Sequence, residues 1–371
     1  MYVQPIGSLP PKTKSLYTPA SQKVNIAWPT ASQAAIGSVD QGLLAVKPGQ
    51  TTKPTASTAK LISALTILNK KPISYGQQGP KITLTQSDVD IYNQYFAKDG
   101  SVVQIKVGEQ LTQYQLLQGM MLPSANNYAD SLAVWAFGSL EKYQQAAQAY
   151  VNSLGLKNTK VGTDASGFDA STTSTAEDLT KLAVVAMKNK TLAEIVNQPQ
   201  VDLPIAGVKE NTNWLLGADG VVGIKTGHTT EAGGVYVFAS KYDYDKSHSA
   251  MIVGAVQGEP IVINAIHQSR LLISQAKNNY KLVSVAKKGQ AVAVYTSPWG
   301  ESVNAVAAKD LSILKWNSTK LKPEIKLGYI DAPAKKGTKV GVIKAGDESS
   351  DIILQHTLQQ PDWQWRILRY F

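Results

Sequence analysis

Residues 221–258 read VVGIKTGHTTEAGGVYVFASKYDYDKSHSAMIVGAVQG, and this stretch decides the fold class. It holds three β-type runs: VVGIKTG at 221–227, GGVYVFAS at 233–240 and SAMIVGAVQG at 249–258. Each is rich in β-branched and aromatic residues, and short polar links separate them. KYDYDKSH, between the last two, reads as an exposed hairpin turn. Far upstream, AAIGSV at 34–39 and LLAVK at 43–47 flank Asp40, Gln41 and Gly42, which is a second hairpin pattern. Strands from both ends of this region are expected to join one antiparallel sheet with helices packed against it, an α+β arrangement.

The helices lie between the two strand groups. STAKLISALTILNKK, residues 57–71, is apolar on most of its surface and is bounded by Pro54 and Pro72, so a buried helix is expected from Ser57. SANNYADSLAVWAFGS at 124–139 is a polar turn running into a second apolar helix. EKYQQAAQAYVNSLGL is a third, ending near Gly155. Residues 157–175 are polar and irregular. TAEDLTKLAVVAMKN follows as a helix, with Thr175 as its cap and Asp178 three residues on. NAIHQSRLLISQAKNNY closes the region. Beyond Tyr280 come short β runs punctuated by Gly and Pro, which predict a small all-β domain. The expected boundaries are therefore 1–280 and 281–371, with the proline-rich residues 1–30 an extended lead-in to the first domain.

Composition narrows the function. The 371 residues are 43% hydrophobic and 17% charged, with 37 Lys plus Arg against 27 Asp plus Glu, a net charge of +10. The excess is thinly spread. No basic cluster with interleaved aromatics is present, so no nucleic-acid partner is expected. There is no cysteine, which excludes disulfides and thiol chemistry. The four histidines, His228, His248, His267 and His356, stand at no metal-ligand spacing, and neither a metal nor a cofactor is expected. The opening MYVQPIGSLPPKTKSLY lacks the apolar core of a signal peptide.

Three short motifs carry chemistry. Ser57 and Lys60 stand at i and i+3, which puts both side chains on one helix face. A serine hydroxyl is a weak nucleophile without an adjacent base, and a desolvated lysine can lose enough proton affinity to act as one. Ser124 and Asn126 precede an apolar helix. They serve there as cap residues, or as a proton carrier and an orienting amide. Lys225, Thr226 and Gly227 end a strand, either as a polar turn or as a carboxylate-binding edge. On that second reading Gly227 lets a substrate chain lie against the backbone. Each motif alone is common; the ordered set is far more specific.

The set as a whole resembles low-molecular-mass penicillin-binding proteins of the serine D-alanyl-D-alanine carboxypeptidase family. The resemblance rests on PTASTAK at 54–60, SANN at 124–127 and DGVVGIKTGHT at 219–229, with NSLGLKNT at 152–159 and STAEDL at 174–179 in support. It implies a β-lactamase/DD-peptidase-like domain, an antiparallel sheet with helices on both sides, plus a small all-β C-terminal domain. It implies Ser57 as the acylated nucleophile, Lys60 as general base, and Ser124, Asn126 and Lys225 completing the polar network. Thr226 and Thr229 would contact a terminal carboxylate. The backbone N–H groups of Ser57 and His228 would form the oxyanion hole. The implied partners are peptidoglycan stem peptides ending in D-Ala-D-Ala and β-lactams as covalent inhibitors. The implied location is extracytoplasmic, in the cell envelope at the outer face of the cytoplasmic membrane, and PDWQWRILRYF at 361–371 would begin an amphipathic membrane anchor. Its alternative is a terminal strand packed on the β domain.

Two features depart from the family pattern. TDASGF at 163–168 stands where many relatives carry a histidine-glycine, and SAMI at 249–252 lacks a basic residue common in the last strand. The rival readings are a DD-endopeptidase, which would use the same residues, and a serine β-lactamase. Against the latter, no E-x-x-L-N-type segment lies between Ser124 and Lys225.

Overall fold

The structure, a computed structural model, describes residues 6–16 and 20–368. It divides into two compact units. One is Ile26–Asn278; the other takes residues 279–368 together with the described part of the first 25.

The first unit is built on a five-stranded sheet. Its strands are β1 (Gln33–Ser38), β2 (Gly42–Val46), β3 (Val221–Thr229), β4 (Gly233–Asp243) and β5 (Ser249–Glu259). The order is β3-β4-β5-β1-β2, and every neighbouring pair is antiparallel. The hairpin near the N-terminus thus joins the late strands in one sheet, as expected. Alternation along β4 sorts its side chains between two faces. Val235, Val237 and Ala239 join the main core together with Leu179, Leu182 and Ala183 of the helix Ala176–Lys188. The intervening Tyr236 and Phe238 are buried outside that core, on the face that the helix Val262–Asn278 also contacts. Both faces being covered explains why β4 and β5 read as almost unbroken apolar runs.

The helices that position the site are α1 (Lys60–Lys70) and α2 (Asn126–Phe137). Every residue of α1 from Lys60 to Leu68 is buried, as its all-round apolar pattern requires. The helix does not begin at Ser57. Residues Ala56–Ala59 form a 3-10 turn, and the α-helix starts at Lys60. Ala56 has φ +46°, a left-handed conformation from which an α-helix cannot propagate directly. The cap expected at Thr175 is present, its hydroxyl accepting from Asp178 N–H.

The second unit is all β. Its six-stranded sheet has the order Pro11–Thr13, Ala291–Thr296, Ser302–Ala307, Glu348–Leu354, Lys339–Ala345, Glu324–Leu327. The strands Tyr280–Ala286 and Leu311–Trp316 form a separate pair. Residues 1–30, expected to lead into the first domain, divide differently. Pro11–Thr13 pairs with Ala291–Thr296 at the sheet edge, and Leu9 exchanges backbone hydrogen bonds with Ile330 at 2.8 and 3.1 Å. An edge is where a proline, with no N–H to give, can enter a sheet. Tyr280, expected to end a helix, opens a strand opposite Trp316. The tail is not a strand as far as it is described: Trp363–Leu368 is a short helix, and Trp365 packs edge-on against Trp299 at 5.5 Å. The remaining anchor residues, Arg369, Tyr370 and Phe371, and the first five residues of the chain lie outside the described residues. Among the described residues, no helix is long and apolar enough to cross a membrane.

Candidate active site

The fold brings residues of the separate motifs within hydrogen-bond reach of one another. Lys60 Nζ lies 2.9 Å from Ser57 Oγ, 2.7 Å from Asn126 Oδ1 and 3.0 Å from the carbonyl of Ser166. Two of these neighbours are pure acceptors, so the amine gives protons to Asn126 and Ser166 and turns its remaining position to the Ser57 hydroxyl, a lone pair when neutral and a third N–H when charged. Lys60 is fully buried, while Ser57 is half-buried. Burial lowers the Lys60 pKa to about 7, against the opposing pull of the Asp164 and Asp130 carboxylates.

Those carboxylates shape the loop that supplies the Ser166 carbonyl. Asp130, one turn beyond Asn126 on α2, accepts from Tyr95 OH at 2.7 Å and from Ala165 N–H at 2.8 Å. Burial raises its pKa to about 6. Asp164 accepts from the N–H groups of Ser166 at 2.8 Å and Asp169 at 2.7 Å. Gly167 has φ +73°, and a Cβ there would collide with the Ala56 carbonyl, so the loop lies directly on the turn that carries Ser57.

β3 closes the other side. A Cβ on Gly227 would stand 3.0 Å from Ser57 N and 3.1 Å from Thr58 N, so strand and turn are packed closely there and a side chain would have to push one of them aside by a few tenths of an ångström. Lys225 is 1% exposed, and its Nζ has no hydrogen-bond partner among the described residues. Burial, followed by the nearby Lys60 charge, holds its pKa well below the ordinary lysine value. Thr226 Oγ1 lies 3.0 Å from Thr212 Oγ1. His228 is exposed, and Thr229 Oγ1 accepts from Ala232 N–H at 3.1 Å, closing the β3–β4 turn.

Ser57, Lys60 and Asn126 are therefore joined directly, with Gly227 against them. Ser124 is not among the hydrogen-bond partners of Lys60. It sits 6% exposed with φ +66°, a left-handed conformation that is costly for a serine and that the flanking structure must hold in place. Sequence reading missed the Ser166 carbonyl, Asp130, Tyr95 and Asp164. One signal was available: Asp130 stands four residues after Asn126, on the same face of α2.

A lysine desolvated against a serine hydroxyl, at the start of a helix buried among the other helices of the unit, is the arrangement of a serine hydrolase. A family model described as D-alanyl-D-alanine carboxypeptidase matches residues 30–256, and one described as penicillin-binding protein 5, C-terminal domain, matches residues 280–359. The chain belongs to the D-alanyl-D-alanine carboxypeptidase family.

It is 29% identical over 215 residues to the D-alanyl-D-alanine carboxypeptidase of Streptomyces sp. (strain K15), covering 53% of this chain and 71% of that protein. It is 26% identical over 260 residues to the carboxypeptidase DacA of Escherichia coli (strain K12), covering 66% of this chain and 62% of that protein. Among solved structures, the Streptomyces K15 DD-transpeptidase superposes with a TM-score of 0.59 at 26% identity, over 67% of this chain and 98% of that one. Penicillin binding protein 5 from Haemophilus influenzae covers 91% of this chain and 100% of its own at a TM-score of 0.63; its 20% identity speaks for the fold alone.

Proposed function

We propose that the protein is a serine-type D-Ala-D-Ala carboxypeptidase that removes the terminal D-alanine from peptidoglycan stem peptides, with Ser57 as nucleophile. The observation that carries this reading is the 2.9 Å approach of Lys60 Nζ to Ser57 Oγ, with the amine steadied by Asn126 and Ser166.

Neutral Lys60 takes the Ser57 proton as Oγ bonds to the carbonyl carbon of the penultimate D-alanine. The oxyanion so formed accepts from the N–H groups of Ser57 and His228, a role that the tight packing of Gly227 on the Ser57 turn supports. The C–N bond then breaks, and the departing amine takes a proton from Lys60, passed by way of the Ser124 hydroxyl. Water attacks the acyl ester, the peptide acid leaves, and Ser57 recovers its proton. Lys225, Thr226 and Thr229 receive the terminal carboxylate. A buried amine without a partner, such as Lys225, is suited to a ligand that brings its own negative charge. A β-lactam presents a strained amide and a carboxylate to the same groups and leaves a stable ester on Ser57. An envelope location, at the outer face of the cytoplasmic membrane, follows from that substrate.

The test is to incubate the protein with a labelled penicillin and, separately, with a peptide ending in D-Ala-D-Ala. Both the covalent adduct and free D-alanine are expected, and Ser57→Ala should abolish both. An adduct mapped by mass spectrometry to Ser124 instead of Ser57 would overturn the assignment.

A further inference from the structure

The tripeptide Asn211–Thr212–Asn213 belongs to none of the three motifs, yet it touches Thr226 of one and the chain just ahead of Ser124 in another. Thr212 N–H donates to the carbonyl of Leu122 at 3.0 Å, two residues before Ser124. The Thr212 hydroxyl lies 3.3 Å from that same carbonyl and 3.0 Å from Thr226 Oγ1 on β3.

The flanking asparagines fix this placement. Asn211 Nδ2 donates to the Gln198 carbonyl at 2.9 Å, and Asn211 Oδ1 accepts from Asn213 N–H at 2.9 Å. Asn213 Oδ1 accepts from Tyr236 OH at 2.8 Å, and Tyr236 is the cross-strand partner of Thr226. Thr212 is thus clasped between the Ser124 loop and β3.

A threonine hydroxyl has one proton to give. Thr212 can direct it to the Leu122 carbonyl or to Thr226, but not to both. In the first arrangement Thr226 spends its own proton on Thr212, and the chain of hydroxyls points away from the pocket. In the second, Thr212 donates to Thr226, and the Thr226 proton is freed for a ligand. The Leu122 carbonyl loses little by the change, because it keeps the bond from Thr212 N–H.

We infer that Thr212 is a positioning residue that turns the Thr226 hydroxyl toward an entering carboxylate by reversing this hydrogen-bond chain. The inference rests on the carboxylate-binding role of Thr226 given under Proposed function. It makes Thr212 a specificity determinant for substrates with a free terminal carboxylate, although Thr212 does not itself touch them.

The experiment compares the full chain with Thr212→Val and Thr212→Ser on a peptide ending in D-Ala-D-Ala and on its C-terminal amide. Valine keeps the shape and removes the hydroxyl. Thr212→Val should raise KM for the acid about five- to tenfold while changing kcat less than about twofold, the size of one lost polar contact. The amide should show a smaller loss, and serine should restore the acid. Equal losses on both peptides, an unchanged KM, or failure of serine to restore it would overturn the proposal. A parent protein that releases no D-alanine would instead refute the carboxypeptidase reading. Thr212 is then judged from acylation rates with a penicillin and its carboxyl ester: a larger loss for the acid upholds the switch, and equal losses sink it.

Discussion

Lys60 Nζ stands 2.9 Å from Ser57 Oγ, so the proton can pass between them without either side chain changing rotamer. Because burial lowers the Lys60 pKa to about 7, its protonation state changes within the ordinary working range. Below that value the amine holds a proton and cannot accept another. Acylation by a labelled penicillin should therefore slow as pH falls through about 7 and level off above it. A rate that stays flat from about pH 5 to 9 would exclude Lys60 as the base.

Burial chiefly sets where that limb falls, and Asp130, after Asp164, should raise it. Its ionised carboxylate favours the charged form of Lys60, and an amide in its place would not. Asp130→Asn retains an acceptor for Ala165 N–H, so the loop geometry is expected to survive. The acid limb of acylation should move to lower pH by about half a unit to one unit. A limb that stays in place while the rate drops at every pH would mean that Asp130 acts only by holding the loop.

Lys225 should cost stability. Its amine is buried without a hydrogen-bond partner among the described residues, an arrangement unfavourable by about 1–3 kcal/mol. Lys225→Met fills nearly the same volume with apolar atoms. Its melting temperature should rise by about 2–6 °C while carboxylate-bearing substrates are lost. Thermal denaturation beside a turnover assay checks both, and a lower melting temperature would show that the amine is compensated in the fold.

Gly167 should matter through Ser57 as well as through its own backbone. Gly289 is a control, since it has φ +80° and open space around its Cβ position. Alanine at either glycine incurs left-handed strain of about 1 kcal/mol. Only Gly167→Ala also pushes on the Ala56 carbonyl, so it alone should slow acylation. Equal acylation rates in the two variants, measured well below their melting temperatures, would show that the turn yields without moving Ser57.

The sequence made some of this legible and hid the rest for physical reasons. Strands β4 and β5 announce themselves because both faces of the sheet are covered, and the STAK, SAN and KTG motifs because they follow one another in a specific order. The Ser166 carbonyl is invisible by nature, since any residue would supply it. Asp130 looks like an ordinary helix acid until the fold buries it against Tyr95. The left-handed Ala56, which delays α1 to Lys60, has no mark in an alanine. The strand Pro11–Thr13 is too short and too rich in proline nearby to show a period, and its partner lies far along the chain.

That distant pairing bears on how the molecule is made. Pro11 leaves the ribosome about 280 residues before Tyr295, its partner, which at ordinary elongation rates is a delay of roughly 15 to 60 s. The whole Ile26–Asn278 unit emerges during that interval and can fold first. The early strand must meanwhile remain unpaired, with its backbone groups open to other edges. Its brevity, and Pro11 within it, limit what it can pair with by mistake while it waits.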